Sequence, residues 1–515
     1  MGHGIRRRRC RVVAALAAVA CFATAPAWAD DVSGGISAEG AQRLEQQVHA
    51  WLASMLGPHV TLGARPLHVT AESDHYRIEL PFATALSDAT GTTIEANPIS
   101  ARLKPLDGGR WAINDFRWPS PLQASFVLPR HGGPPGTEKL TVTIARQEQH
   151  GVLDPSLTTP SFWDARINGY AYNITGMKNG GSRKASIDDS VVHLRWEPAP
   201  GGKLTVRETS DSHLFATSEV VPNVGLVSAS VERMQAHLGA EDVVPDQVAA
   251  LLRAMIVLAP TALSAEKQAL AGGDSAPNGP PKLNDAERAA ARSALMALAG
   301  LLGSFDEQGT AENLHVVASR FSERADKLTF DFGAGAPEGR SRIHLRLGLD
   351  GLDSPDIPSG VLRDYLPHHI AIASFMGGIS SSDLYALLLR VFDSNGHDPK
   401  LERDLLALLA KQPLAVGLDD VQFDLGPAMV SGKGEVRLSG VNRYEGEAHF
   451  AATGLDELVK RVNAVPAFAK AMPVLYFLKG VGEQEGNKTV WNITYNDNRL
   501  LVNGNDMTRE LHANP

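Results

Sequence analysis

Residues 343–349 read Ile343-His344-Leu345-Arg346-Leu347-Gly348-Leu349. An apolar side chain at every second position matches the two-residue repeat of a β-strand, whose successive side chains point to opposite faces, and not the 3.6-residue repeat of a helix. A strand built this way has one apolar face and one wet face, the pattern of antiparallel sheets. The alternation recurs at Leu140, Val142 and Ile144, at Val192, Leu194 and Trp196 before the turn 198–202, and at Leu328, Phe330 and Phe332. It returns at Val421, Phe423 and Leu425 and at Trp491, Ile493 and Tyr495, and segments 76–80, 99–103 and 111–118 are also strand-like.

Helices are expected between these strands. Ser37 is a suitable N-cap for a helix with Leu44, Val48, Leu52 and Met55 at helical spacing, stopped by Gly57-Pro58. Others are expected over 246–258, over 285–302 with Asn284 and Glu287 as a capping box, over 381–409 as a pair split at 393–396, and over 455–471. In the C-terminal hairpin, with Asn496-Asp497-Asn498 as its turn, Trp491, Ile493, Tyr495 and Leu501 should share a face against helix 455–471 and the apolar run 474–478. No regular crossover helix separates the strands, which argues against a doubly wound parallel sheet. The expected class is α+β: predominantly antiparallel, curved amphipathic sheets with helical insertions covering or flanking a groove.

Gly/Pro-rich stretches 129–139 and 271–281 resist helix and ladder alike. They divide the chain into a leader (1–29), a helix-plus-β domain (30–130), a β-rich domain ending in helix (139–260), a linker with a helical insertion (261–309) and an α+β C-terminal domain (310–515). The leader joins Arg6-Arg7-Arg8-Arg9 to an apolar run over 12–20 and to Ala27 and Ala29, small residues at −3 and −1. That is a secretory signal, with cleavage before Asp30 and a periplasmic destination. A lipobox-like Ala18-Val19-Ala20-Cys21 offers the alternative of a lipoprotein anchored at Cys21. Both cysteines, Cys10 and Cys21, lie in the leader, so the mature chain is expected to lack disulfides, a Cys nucleophile and thiolate metal sites. No apolar run reaches the roughly 20 residues of a membrane-spanning helix; the nearest, 289–302, carries Arg292. A formal charge of −9, more negative once the arginine-bearing leader is removed, disfavours nucleic acid as a partner.

Chemistry-bearing motifs give way to simpler readings. Gly378-Ile379-Ser380-Ser381-Ser382 lacks the second glycine of a hydrolase elbow, and its serines suit a helix cap. Gly432-Lys433-Gly434 has no Ser/Thr after its lysine, and 480–486 misses dinucleotide spacing and reads as a loop. His368-His369 on a strand point to opposite faces. Asp393, Asn395, His397 and Asp404 follow an EF-hand-like frame in which Asp398 stands where glycine is needed. Asp350, Asp353 and Asp356 suit turn chemistry. No catalytic residue, cofactor or metal ligand is assigned.

The C-terminal third carries a resemblance. Leu366-Pro367, Leu418-Asp419-Asp420-Val421, Gly426-Pro427, Gly434–Leu438, Gly446-Glu447, Thr453-Gly454-Leu455-Asp456, Lys479-Gly480 and Leu501-Val502-Asn503-Gly504 come in an order similar to that of uncharacterised exported proteobacterial proteins. These carry a domain of unknown function and resemble YdgA-like and, more remotely, AsmA-like envelope proteins, over about 310–505. The AsmA-like resemblance implies a lipid-handling β-groove. Two expectations stand together: a non-enzymatic envelope protein that binds lipid or another apolar ligand in a groove, and a scaffold or accessory subunit of an envelope complex whose helices close the sheet faces. A hydrolase with an unrecognised site is a third, remoter alternative.

Overall fold

Strand outweighs helix, 61% to 24%, and the strands form curved antiparallel sheet, which makes the class α+β as expected. In the computed structural model the described residues are 35–508 apart from 57–66, 82, 84–86, 88–92, 129–135, 155–158, 178–180, 222–224, 249, 252, 255–256, 259–260, 262–282, 302–303, 320, 337–338, 357–362, 364–365, 395–397, 441–442, 464–471 and 497. The leader with Ala27, Ala29, Asp30 and Cys21, and the connector 271–281, lie outside the described residues. The chain divides into two compact units, Met1–Ser228 with His237–Leu301, and Ala229–Ala236 with Leu302–Pro515.

In the first unit, helix α1 (Ala38–Leu56) begins where Ser37 Oγ accepts the Gly40 N–H at 3.0 Å. It packs on β1 (His68–Ala71), which pairs with β2 (Tyr76–Leu80). Strands β3 (Thr93–Ala96), β4 (Ile99–Pro105), β5 (Trp111–Arg117) and β6 (Leu122–Leu128) follow, with β4 between β2 and β5 and β3 beside β6. Tyr76, Ile78 and Leu80 are buried while Arg77 is exposed, so the alternation of β2 is realised as burial. Their core includes Leu44, Val48, Trp111, Ile113 and Phe116, with Phe116 edge-on to Trp163 at 5.1 Å.

Both β5 and β6 pair with β7 (Gly136–Asp154), so the strands on either side of 129–135 belong to one unit. Long strands β8 (Thr159–Thr175), β9 (Arg183–Ala199) and β10 (Lys203–Val221) extend this order, and β11 (Gly225–Val243) contributes to both units. The Asn284 capping box of α2 (Asp285–Leu301) forms reciprocally: Glu287 N–H donates to Asn284 Oδ1 at 2.9 Å, and Asn284 N–H to Glu287 Oε2 at 2.8 Å.

The second unit is an antiparallel meander of β12 (Ser304–Ala318), β13 (Phe321–Gly335), β14 (Arg340–Asp350), β15 (His369–Ser380), β16 (Leu414–Asp424), β17 (Met429–Gly440) and β18 (Arg443–Thr453). Helices α3 (Ser381–Asp393) and α4 (Leu401–Lys411) are inserted between β15 and β16. Helices α5 (Leu455–Asn463) and α6 (Met472–Val481) follow β18. After β19 (Glu483–Glu485) the chain returns as β20 (Lys488–Asn496), pairs with β18, and ends in β21 (Arg499–Val502) and β22 (Asn505–Asp506). Gly454, at φ +69°, makes the turn into α5; a Cβ there would collide with the Pro427 carbonyl.

Several expectations need correction. The C-terminal hairpin pairs Asn496 with Arg499, with Asn498 at φ +61°, so its turn is shorter than the three residues expected. That shorter loop shifts the register by one: Val502 faces Ile493 and Leu501 falls opposite Thr494, on the other face. Segment 480–486 is not a loop, because it completes α6 and contains β19. The apolar run 474–478 is itself helical, as part of α6, whereas 464–471 lies outside the described residues. β11 runs to Val243, and the helix expected over 246–258 begins at 245.

Candidate functional site

Side chains directly opposite one another in an antiparallel pair stand on the same face of the sheet. Following the pairing across the second unit therefore traces continuous rows. One runs Ile343–Met376–Val416–Val436–Gly446–Tyr495 across β14, β15, β16, β17, β18 and β20. The next runs Leu345–Ser374–Leu418–Gly434–Ala448–Ile493, and the third Leu347–Ile372–Val421–Gly432–Phe450–Trp491. A register shift between Leu418 and Val421 keeps both side chains on this face, since one bulged residue absorbs the extra step.

The opposite face is polar. Arg342 reaches Asp419 at 2.7 Å, His344 meets Asp331 at 3.2 Å, His449 pairs with Asn492 at 2.8 Å, and Arg437 pairs with Glu435. The Arg342 guanidinium also stands 4.3 Å above the Phe375 ring, which fills the space left by Gly417.

Cover over the apolar face is uneven. At the third row Trp491 is buried against Leu455, Leu458, Val459, Val462 and Met472 of α5 and α6, with Phe450 and Ile493 packed beside this cluster. The Trp491 Nε1–H donates to the Leu478 carbonyl at 2.8 Å, tying α6 to the sheet. The expected packing of Trp491 on α5 holds, whereas of the run 474–478 only Leu475 packs against this cluster and Val474, Tyr476, Phe477 and Leu478 are exposed. Tyr495 behaves differently: it stacks on Tyr444 at 5.6 Å and lines open space. Toward the first row the cover from α5 and α6 ends, and although α4 packs on β17, Ile343, Leu345, Met376, Val416 and Val436 are each 39–44% exposed. The result is a groove of about 620 Å³ walled by Val416, Leu418, Ile493 and Tyr495, with Gly434, Gly446 and Ala448 along its floor. A Cβ on Gly434 would meet the Ala448 Cβ at 2.7 Å, so the two strands lie close where the floor is lowest.

The residues considered for chemistry have structural partners. Ser380 caps α3, accepting the Asp383 N–H at 3.3 Å, and Ser382 lies 2.7 Å from the Ser380 hydroxyl. Asp398 and Asp404 both bind Arg390, at 2.6 and 3.0 Å. Those Arg390 hydrogen bonds hold both carboxyls below the usual carboxylate range. Asn395 and His397 lie outside the described residues. Asp353 binds Arg363 through both oxygens at 2.7 Å, and Asp350 meets His369 at 2.5 Å. Gly432-Lys433-Gly434 sits within β17. Among the described residues no group of three or more His, Cys, Asp or Glu could hold a metal ion.

Alternation places Ile343, Leu345, Ile493 and Tyr495 on the apolar face, whereas Met376, Val416, Gly434, Val436, Gly446 and Ala448 join that face only through strand pairing. The available signal was that positions 434, 446 and 448, expected to be large and apolar on strands with this alternation, are small instead. No family model, curated protein or solved structure matches this chain.

Proposed function

We propose that this chain is a non-enzymatic periplasmic envelope protein, exported by its leader, that holds lipid or another apolar chain in the groove of its second unit. The observation carrying this reading is the uncovered row from Ile343 to Tyr495. Aliphatic side chains left at about 40% exposure on a contiguous face leave apolar surface in water, at roughly 25 cal/mol per Å² forgone. A groove of about 620 Å³ falls within the roughly 300–1,000 Å³ of small-molecule sites, and its lining is mainly apolar as such sites are. This is also the reading that the AsmA-like resemblance implies.

The test is native mass spectrometry of the protein purified from a bacterial periplasm. Wild type should carry a lipid-mass adduct, and the double variant Val416→Lys/Val436→Lys should fold but lack it. Absence of an adduct from wild type, together with no displacement of a fluorescent fatty acid by unlabelled ones, would refute the reading. A second reading, an accessory subunit that docks on another envelope protein, is favoured by the outer side of α6, where Val474, Tyr476, Phe477 and Leu478 are all exposed.

A further inference from the structure

The relief of the groove has a direction. Along β18 the groove-facing positions read Tyr444, Gly446, Ala448, Phe450, so two low positions lie between two rings. On β17 the position opposite Ala448 is Gly434, which lowers the same stretch of floor. Beyond it Gly432 also lacks a side chain, but its space is taken: a Cβ there would come within 2.1 Å of the Phe450 ring. Phe450 thus lies across the sheet rather than standing beside the trough, and behind it the helix-covered cluster of Leu455, Leu458 and Trp491 fills the face. At the other end Val436 and Tyr444 are exposed.

We infer that the trough seats a single acyl chain lengthwise along β17 and β18, and that Phe450 is the stop that sets which chain length fits. This rests on the lipid-binding reading above and adds the orientation and the residue that selects. Tyr444 to Phe450 spans six residues, about 20 Å at roughly 3.3 Å each; Phe450 lies over β17 at one end, while at the other Tyr444 leans away from β17 to stack on Tyr495. A second protein is a poorer occupant, because stable protein interfaces bury at least about 1,000 Å², whereas this floor is one strand pair wide between the walls of Leu418 and Ile493. A blind trough with a low floor suits a flexible hydrocarbon entering from the Tyr444 end, tail towards Phe450.

The experiment is displacement of a fluorescent fatty acid from the full mature chain by saturated fatty acids of increasing length. Each further methylene that is buried tightens binding by about fourfold, so affinity should climb in such steps and then stop where the tail reaches the ring. In Phe450→Leu the climb should continue to longer chains, and in Phe450→Ala further still; Phe450→Leu keeps the helix-covered cluster packed should the alanine variant fail to fold. Ala448→Leu, which raises the open floor, should weaken every length at least tenfold. Wild-type binding with a length profile unchanged in Phe450→Leu, or full binding in Ala448→Leu, would overturn the inference and leave lipid binding standing. No binding of any chain by wild type would overturn both.

Discussion

Strands β2 and β14 carry the same pattern with opposite results. In Tyr76-Arg77-Ile78-Glu79-Leu80 the apolar positions are buried and Arg77 is exposed. In Ile343-His344-Leu345-Arg346-Leu347 the apolar positions are themselves exposed. What differs is the cover. The 19-residue α1 lies against the small sheet of the first unit, and its Leu44 and Val48 complete a core in which Tyr76 and Trp111 are at 0 and 1% exposure. In the second unit α5 and α6, of 9 and 10 residues, cover one end of a much wider sheet, and although α4 packs on β17, Ile343, Met376 and Val416 stay 40–44% exposed. Alternation specifies which face of a strand is apolar; how much helix is supplied, and where, decides whether that face becomes core or binding surface.

The largest effects should come from emptying the covered regions. Trp111→Ala in the first unit and Trp491→Ala in the second should each cost about 3–5 kcal/mol in denaturant unfolding, the range for deleting a buried aromatic ring. Thr494→Ala, exposed on the far side of β20, should cost well under about 1 kcal/mol. Equal midpoints for Trp491→Ala and Thr494→Ala would mean that the helix-covered end of the second sheet is not core, and the contrast would fail. Next, Val416→Ala should change stability by less than about 1 kcal/mol, although the equivalent truncation at Ile78 should cost about 2–5 kcal/mol. A large loss at Val416 would show that the open face is covered in solution.

Helix caps separate the units on a smaller scale. Ser37→Ala, removing the cap of α1, should cost about 1 kcal/mol of global stability. Ser380→Ala removes a similar bond from α3, a helix with no buried residue, so its effect should appear first as faster amide exchange within α3. The smallest effects are electrostatic. For Asp164 burial pushes the carboxyl up, but hydrogen bonds from Arg195 and His193 outweigh it and leave the carboxyl below its ordinary 3.8. Asp398 and Asp404 are lowered by Arg390. Groups lowered on folding stabilise above their unfolded value and lose that contribution as pH falls through the folded one. Acid titration should therefore weaken both units below about pH 3.8, and Arg390→Gln should flatten the slope for the second unit alone. An unchanged slope would mean the pair is open in solution.

Much of the fold was legible because its signals are local. The two-residue repeat located the strands, Ser37, Asn284 and Ser380 marked helix starts through side-chain bonds three residues long, and the absence of crossover helices excluded a parallel sheet. At the 496–499 hairpin the Asn-Asp-Asn composition suits a loop of two or of three residues, and only the ladder selects between them. The groove was half legible. Its wall at Ile493 and Tyr495 follows from alternation, but Met376, Val416, Gly434 and Ala448 come together through pairing of strands far apart in the chain.

By itself, the sequence determined the strand-dominated α+β class, the helix caps and the apolar identity of one face of β14, since each depends on backbone geometry and on neighbours within a few residues. Only the tertiary structure decided that α5 and α6 cover the Trp491 end and stop short of Val416, that Phe450 lies over Gly432, and that small residues on β17 and β18 align into a floor. Those outcomes depend on register and on where a short helix comes to rest, and both are set by packing between residues that the sequence keeps apart.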